Sequence, residues 1–323
     1  MTNQHRRCGL YSRREFGKLA LAGIALPAFL PSLAAASSKI NGVQIGAITY
    51  SFRSIPDADA VVRAMVQIGL SEVELMSNHA EALAGAPSGR AAGPGGAGRG
   101  RSMTPEQQEA QRAAQEELRK WRLSTSPATF KAVSRKFADN GIELALLCYN
   151  MGRNIADDEI EYAFQMAKAL GAKAISTSTQ VSVSRRVAPF ADKHKMMVGY
   201  HGHSNIKDPD EFATPESFSK AMSYSKFHGV NLDIGHFTAA NYDAVAYIQA
   251  NHARITNLHL KDRKKNQGDN MPWGQGETPI KEVLQLLRQK KWEMPANIEY
   301  EYKGEDTVAE VAKCYQYCKE ALA

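Results

Sequence analysis

Five short runs of this sequence set polar or ionisable side chains at alternate positions between apolar ones. They are Val73-Glu74-Leu75, Tyr200-His201-Gly202-His203, Asn231-Leu232-Asp233-Ile234-Gly235-His236, Asn257-Leu258-His259-Leu260-Lys261-Asp262 and Asn297-Ile298-Glu299-Tyr300-Glu301. In extended backbone, side chains two residues apart point the same way, so Lys261 shares a face with His259 and Glu301 with Glu299. A lone histidine after a strand is ordinarily a hydrogen-bonded side chain and nothing more. His, Asp, His and Glu ending four successive runs need a common explanation, because buried charge is costly unless it is paired or metal-bound. A divalent cation supplies the pairing. Mixed imidazole and carboxylate donors suit Mn, Co, Zn or Fe ahead of Mg. Beside such an ion, His203, His236, Lys261 and Glu299 are candidates to remove a proton next to a carbonyl, with the developing charge stabilised by the metal. For Lys261 the plainer alternative is a salt bridge to Glu301 or Asp262. Glu74, Glu301 and Trp273 are candidate substrate contacts, although Trp273, in the loop 268–278, could equally cap the fold.

These residues need a scaffold that brings strand ends together. Short β-rich runs are expected at 43–51, 72–76, 142–149, 174–178, 197–201, 230–233, 255–260 and 296–300. Helical patterns lie between them at 57–68, 130–140, 157–170, 180–194, 215–224, 242–250, 280–290 and 307–322. Eight strands alternating with helices predict an α/β protein, a single (β/α)₈ TIM barrel whose functional groups gather at the C-terminal strand ends. An open doubly wound sheet is the competing architecture, but no Gly-x-Gly-x-x-Gly follows the first strand. Residues 78–125 break the rhythm. They are expected to form an insertion after the second strand, a glycine-rich flexible loop (93–100 is Gly-Pro-Gly-Gly-Ala-Gly-Arg-Gly) followed by a helix over 104–122.

The N-terminus reads as an address. Ser12-Arg13-Arg14-Glu15-Phe16 precedes an apolar run of about 15 residues that ends in Ala34-Ala35-Ala36, the pattern of a twin-arginine export signal over 1–36. The run is short of the roughly 20 residues a membrane span needs. The expected layout is therefore a leader at 1–36, a catalytic barrel at 37–323, export to the periplasm and no stable membrane span. The 323-residue chain carries a formal charge of +6, of which +4 sits in the leader. The remainder gives no electrostatic case for a nucleic-acid partner. Four cysteines in a chain of this length do not make a disulfide framework.

Leu232-Asp233-Ile234-Gly235-His236, His259-Leu260-Lys261-Asp262 and Ile298-Glu299-Tyr300-Glu301, in this order and spacing, resemble the xylose isomerase-like barrel superfamily, over roughly residues 43–320. That group includes sugar epimerases, inosose dehydratase and endonuclease IV. The resemblance implies one metal ligand from each of the fifth to eighth strands, at His201, Asp233, His259 and Glu299, with Glu301 an alternative to Glu299. It also implies a substrate contact at His236 and a small carbohydrate substrate. A homo-oligomer is compatible with it. The group's epimerases place a glutamate where this chain has His201, which weakens symmetric proton exchange. One-sided proton removal followed by β-elimination or hydration of a 3-keto-glycoside, as in subfamilies with Tyr-His-x-His, then stands beside isomerisation or epimerisation. Two other readings are a non-catalytic exported sugar-binding barrel and an endonuclease IV-like metal hydrolase.

Overall fold

The computed structural model describes residues 37–89, 104–304 and 306–323. The proposed leader and the glycine-rich stretch at 93–100 lie outside the described residues. The expected strands form as β1 (Val43–Ile48), β2 (Glu72–Met76), β3 (Glu143–Cys148), β4 (Ala174–Thr177), β5 (Met197–His201), β6 (His228–Asp233), β7 (Ile255–Leu260) and β8 (Ala296–Ile298). Each pairs in parallel with the next, and β8 returns to β1 through Ile45↔Ala296, Gly46↔Asn297 and Ala47↔Ile298. The sheet is closed: the protein is a TIM barrel. A two-residue strand, Lys39–Ile40, pairs antiparallel with β1.

The helices are α1 (Ala58–Ile68), α2 (Ser77–Leu83), α3 (Pro105–Ser124), α4 (Thr129–Asp139), α5 (Asp157–Leu170), α6 (Val181–His194), α7 (Pro215–Met222), α8 (Ile234–Ala239), α9 (Ala244–Asn251), α10 (Ile280–Lys290) and α11 (Thr307–Leu322). Their ends follow local chemistry. Asp57 caps α1 by accepting from the Asp59 backbone N–H, and Gly69 ends it at φ 88°. Cys314 and Cys318 are buried on one face of α11 as free thiols, and burial pushes the Cys314 thiol up to about 12. Among the described residues no helix is long and apolar enough to cross a membrane.

Most boundaries shift by one or two residues, and three differences bear on the site or the insertion. The first strand stops at Ile48 rather than residue 51, and the last at Ile298 rather than 300. Side chains take over the ladder there: Ser51 Oγ donates to the Ile298 carbonyl and accepts from Tyr300 N–H, while Thr49 Oγ1 accepts from Met76 N–H. The insertion does not begin as a loop at 78, because α2 runs through Leu83. Its helix forms as α3, with a Thr104–Gln107 capping box and Pro105 at the first position. It is docked by ion pairs: Arg122 Nε lies 2.7 Å from Glu81 Oε1, and Arg122 Nη1 3.1 Å from Glu159 Oε1.

Barrel interiors are ordinarily filled by layers of branched aliphatic side chains. Here the layer below the C-terminal mouth is polar: Glu74, Ser176, Asn231, Asn257 and Asn297 are all fully buried. The wall must give way to hold it. A Cβ at Gly46 would lie 1.5 Å from Glu72 Oε2 and 2.8 Å from Asn297 Oδ1, so glycine is what β1 can place there.

Candidate active site at the barrel mouth

The strand ends open into a cavity of about 790 Å³, whose lining includes Tyr50, Arg53, His203, His236, Arg263 and Glu301. Strand geometry places His201, His259 and Glu299 on its floor, with Asp233 buried behind Lys261. One donor atom from each of His201, Asp233, His259 and Glu299 lies within 4.8 Å of all the others, and all four residues are buried. Among the described residues this is the one such group of His, Cys, Asp or Glu. Each side chain is aimed by its local structure. Asp233 caps α8, so its Oδ1 accepts from His236 N–H at 2.7 Å while Oδ2 faces Lys261. His259 Nδ1 meets Glu299 Oε2 at 3.0 Å, and its Nε2 meets Glu74 Oε2 at 2.7 Å. His201 Nδ1 is buried without a hydrogen-bond partner.

A divalent ion fits this donor set. Two imidazoles and two carboxylates are the borderline mixture that transition-metal ions take. The spread of the donor atoms is close to what metal–ligand bonds of about 2.0–2.3 Å allow, and the orphaned His201 nitrogen is the kind of atom a metal would satisfy.

The charges around the four residues are tightly coupled. Burial works against the Lys261 ammonium, but Asp233, Glu299 and Glu301 outweigh it and hold its pKa above the usual lysine range. Lys261 Nζ lies 3.0 Å from Asp233 Oδ2, 3.0 Å from Glu299 Oε2 and 2.7 Å from Glu301 Oε2. Burial alone would raise Glu299, yet Lys261 and His259 hold it well below the usual carboxylate range. Asp233 is pushed up to about 6, chiefly by burial. Burial and the neighbouring Lys261 drop His236 well below an ordinary histidine. Its two ring nitrogens face cations, with Arg263 Nη1 at 2.7 Å from Nδ1 and Lys261 Nζ at 3.1 Å from Nε2.

His203 differs from the other imidazoles. Its Nδ1 lies 2.5 Å from Glu211 Oε1, and its Nε2 lies 3.3 Å from Ser178 Oγ at the cavity wall. Glu211, in the loop after β5, was not singled out in the sequence, since its pairing is made only when that loop folds back. The His203 N–H to Phe212 carbonyl bond, 2.7 Å, closes the loop.

Two expected substrate contacts are placed elsewhere. Glu74 does not reach the cavity: it is fully buried beneath His259, because its strand position is one layer too deep. Trp273 also lies outside it, in a separate pocket against Tyr317, because Asp262 accepts from the Gly274, Gly276 and Thr278 backbone N–H groups and so directs the 268–278 loop. Glu301 does line the cavity, but its closest charged partner is Lys261. Arg263 and the three buried asparagines are further site residues that residue type alone did not reveal. The asparagines had a readable signal: Asn231, Asn257 and Asn297 each stand two residues before a ligand, hence inward and one layer down.

A closed barrel with imidazole and carboxylate groups at its C-terminal mouth defines a class, and comparison with known proteins narrows it. Residues 108–318 match the xylose isomerase-like TIM barrel family, and the chain belongs to it. The L-ribulose-5-phosphate 3-epimerase of Escherichia coli K12 is 29% identical over 119 residues, 35% of this chain and 42% of the epimerase. The match thus spans about two fifths of the length of such curated relatives. Among solved structures, the probable 3-DHS dehydratase AsbF of Bacillus anthracis superposes with a TM-score of 0.58 at 16% identity, covering 85% of this chain and 98% of that one. The IOLI protein with a bound zinc atom superposes at 0.57 and 12% identity, covering 87% and 96%.

Proposed function

We propose that this chain is a divalent-metal-dependent enzyme that removes a proton next to the carbonyl of a small keto-sugar and then expels the β-substituent. The observation that carries the reading is the convergence of His201, Asp233, His259 and Glu299 on one point of a cavity that His203 also faces. A divalent ion held there supplies Lewis acidity toward a carbonyl and its neighbouring hydroxyl. His203 takes the α-proton through Nε2, with Glu211 orienting the ring through Nδ1. The C–H electrons become the new C=C bond as the C–O bond to the leaving group breaks. The departing oxygen takes its proton from the His203 imidazolium, and Lys261, kept charged by three carboxylates, supplies fixed positive charge beside it. His236, pinned between two cations, orients substrate rather than accepting a proton.

Three things support elimination over symmetric exchange. The fifth strand offers His201 to the ligand set instead of a second glutamate, one imidazole–carboxylate pair stands apart from the ligands, and a structural neighbour is a probable dehydratase. A zinc atom in another neighbour supports the metal. Epimerisation is the second reading, favoured by the L-ribulose-5-phosphate 3-epimerase relative. The deciding experiment incubates the purified protein, loaded with Mn²⁺, Co²⁺ or Zn²⁺, with 3-keto-glycosides and free ketoses in D₂O. Release of the aglycone or of water is the expected result. Deuterium entering recovered sugar with no leaving group released would establish epimerisation instead, and no exchange with any metal would overturn the enzyme reading. The work is proposed to take place in the periplasm, on the basis of the leader read at 1–36, and cell fractionation with Arg13 and Arg14 replaced by lysine tests that.

A further inference from the structure

The carboxylate of Glu74 is surrounded by donors from five other residues. Oε1 accepts from Ser176 Oγ and from Asn231 Nδ2 at 3.3 Å. Oε2 accepts from Asn257 Nδ2 at 2.8 Å, Asn297 Nδ2 at 3.1 Å and His259 Nε2 at 2.7 Å. None of these groups reaches solvent. Four strands besides β2 converge on one side chain, and four of the five donors are neutral. A hydrophobic layer of the usual kind would leave His259 Nε2 without an acceptor and only Glu299, itself one of the four converging residues, to orient the ring.

We propose that Glu74 is a positioning residue, which fixes the proton of His259 on Nε2 and turns Nδ1 toward His201, Asp233 and Glu299. The proposal rests on the metal reading above. The physical logic is that of a carboxylate behind a metal-bound histidine: the second nitrogen donates to an acceptor, which sets tautomer and ring orientation and raises ligand basicity. The three asparagines complete the device, because each spends a side-chain N–H on Glu74 and holds it between the strands that carry Asp233, His259 and Glu299. Asn297 is held through one group: Nδ2 donates to Glu74, while Oδ1 is buried without a hydrogen-bond partner.

Glu74→Gln is the informative variant, since it keeps the volume but turns an amide NH₂ on neighbours that are all donors. Titration of the full chain with Co²⁺ against a chromophoric chelator should show the metal Kd rising about 10–100-fold, with a changed Co²⁺ absorption spectrum. In proton NMR, the downfield His259 Nε2–H resonance of the wild type, present with or without metal, should disappear. Asn257→Ser removes one donor from Oε2 and leaves the carboxylate; a smaller rise in Kd is expected. A folded Glu74→Gln protein that holds Co²⁺ as tightly as the wild type overturns the proposal. If Glu74→Gln does not fold, Asn257→Ser with wild-type Kd and an unmoved resonance overturns it. A wild type with no affinity for Co²⁺, Mn²⁺ or Zn²⁺ would instead bring down the metal reading, while loss of the resonance in Glu74→Gln would still establish the hold of Glu74 on His259.

Discussion

The two halves of this barrel share one backbone plan and carry different side chains at the same height. At or just past the ends of β5 to β8 stand His201, Asp233, His259 and Glu299, the four residues whose donor atoms converge. At the corresponding level β1 to β3 contribute Ile48, Met76 and Cys148 to the cavity wall and the residue after β4 contributes Ser178, with Glu74 and Ser176 one layer down. The first half also carries α3, docked on its outer surface through Arg119 and Arg122. A closed parallel sheet fixes where side chains arrive but not which ones, so ligands can be loaded on four adjacent strands while the other four provide the wall and the acceptor beneath.

The comparison predicts that substitutions in the two halves separate chemistry from stability. The largest effect belongs to His259→Ala, which should leave the purified protein without bound divalent metal by elemental analysis and with no measurable turnover. Metal retained at wild-type level would break the assignment of the second half. His203→Ala should lower kcat by about 10²–10⁴-fold, the usual worth of a general base, with metal content unchanged. Glu211→Gln should lower it less, and a pH–rate profile would show the difference.

In the first half the effects should appear in stability. Arg122→Ala leaves Glu81, whose side chain is almost fully buried, without its cation and with only the Tyr162 hydroxyl as partner. Breaking a fully buried pair costs about 3–5 kcal/mol; with Arg122 partly exposed, about 2–4 kcal/mol is expected in urea unfolding, with kcat kept. Gly46→Ala, which drives a methyl group into Glu72, should cost about 1–3 kcal/mol by the same measurement. The smallest effect is at Glu161 on α5. Burial would raise its pKa, but hydrogen bonds from His194 and Lys193 lower it from 4.5 to about 2. A carboxylate depressed in the folded state adds stability that is full above its unfolded value and lost as pH falls through the folded one. Glu161→Gln should therefore be less stable than the wild type at neutral pH, with the gap closing as pH falls from 4.5 toward 2; a gap that does not narrow in acid would exclude it.

Much of the molecule was legible before any coordinates. Alternation of short β-rich runs with amphipathic stretches located all eight strands, because a buried parallel strand and a surface helix leave different apolar periods. Parity along a strand put Lys261 with His259 and Glu301 with Glu299. Local signals failed where a side chain replaced a backbone partner, as Ser51 does at the end of β8. They also failed where depth mattered: Glu74 looked like a rim residue because a sequence shows which face a side chain takes and not how far along the barrel axis its register sets it. The sequence left Trp273 open between a substrate contact and a cap, and the turn that Asp262 organises sets it against Tyr317, outside the cavity.

What the sequence by itself determined is the order of strands and helices, the inward face of each strand and the residue types carried to the mouth, since these depend on periodicity within a few residues. Only the tertiary structure decided which of those residues meet. The pairing of His203 with Glu211, the confinement of Lys261 among three carboxylates and the descent of Glu74 beneath His259 all depend on strand stagger, loop closure and the absence of water. Those are properties of the closed barrel, in which groups more than a hundred residues apart are brought within a hydrogen bond of one another.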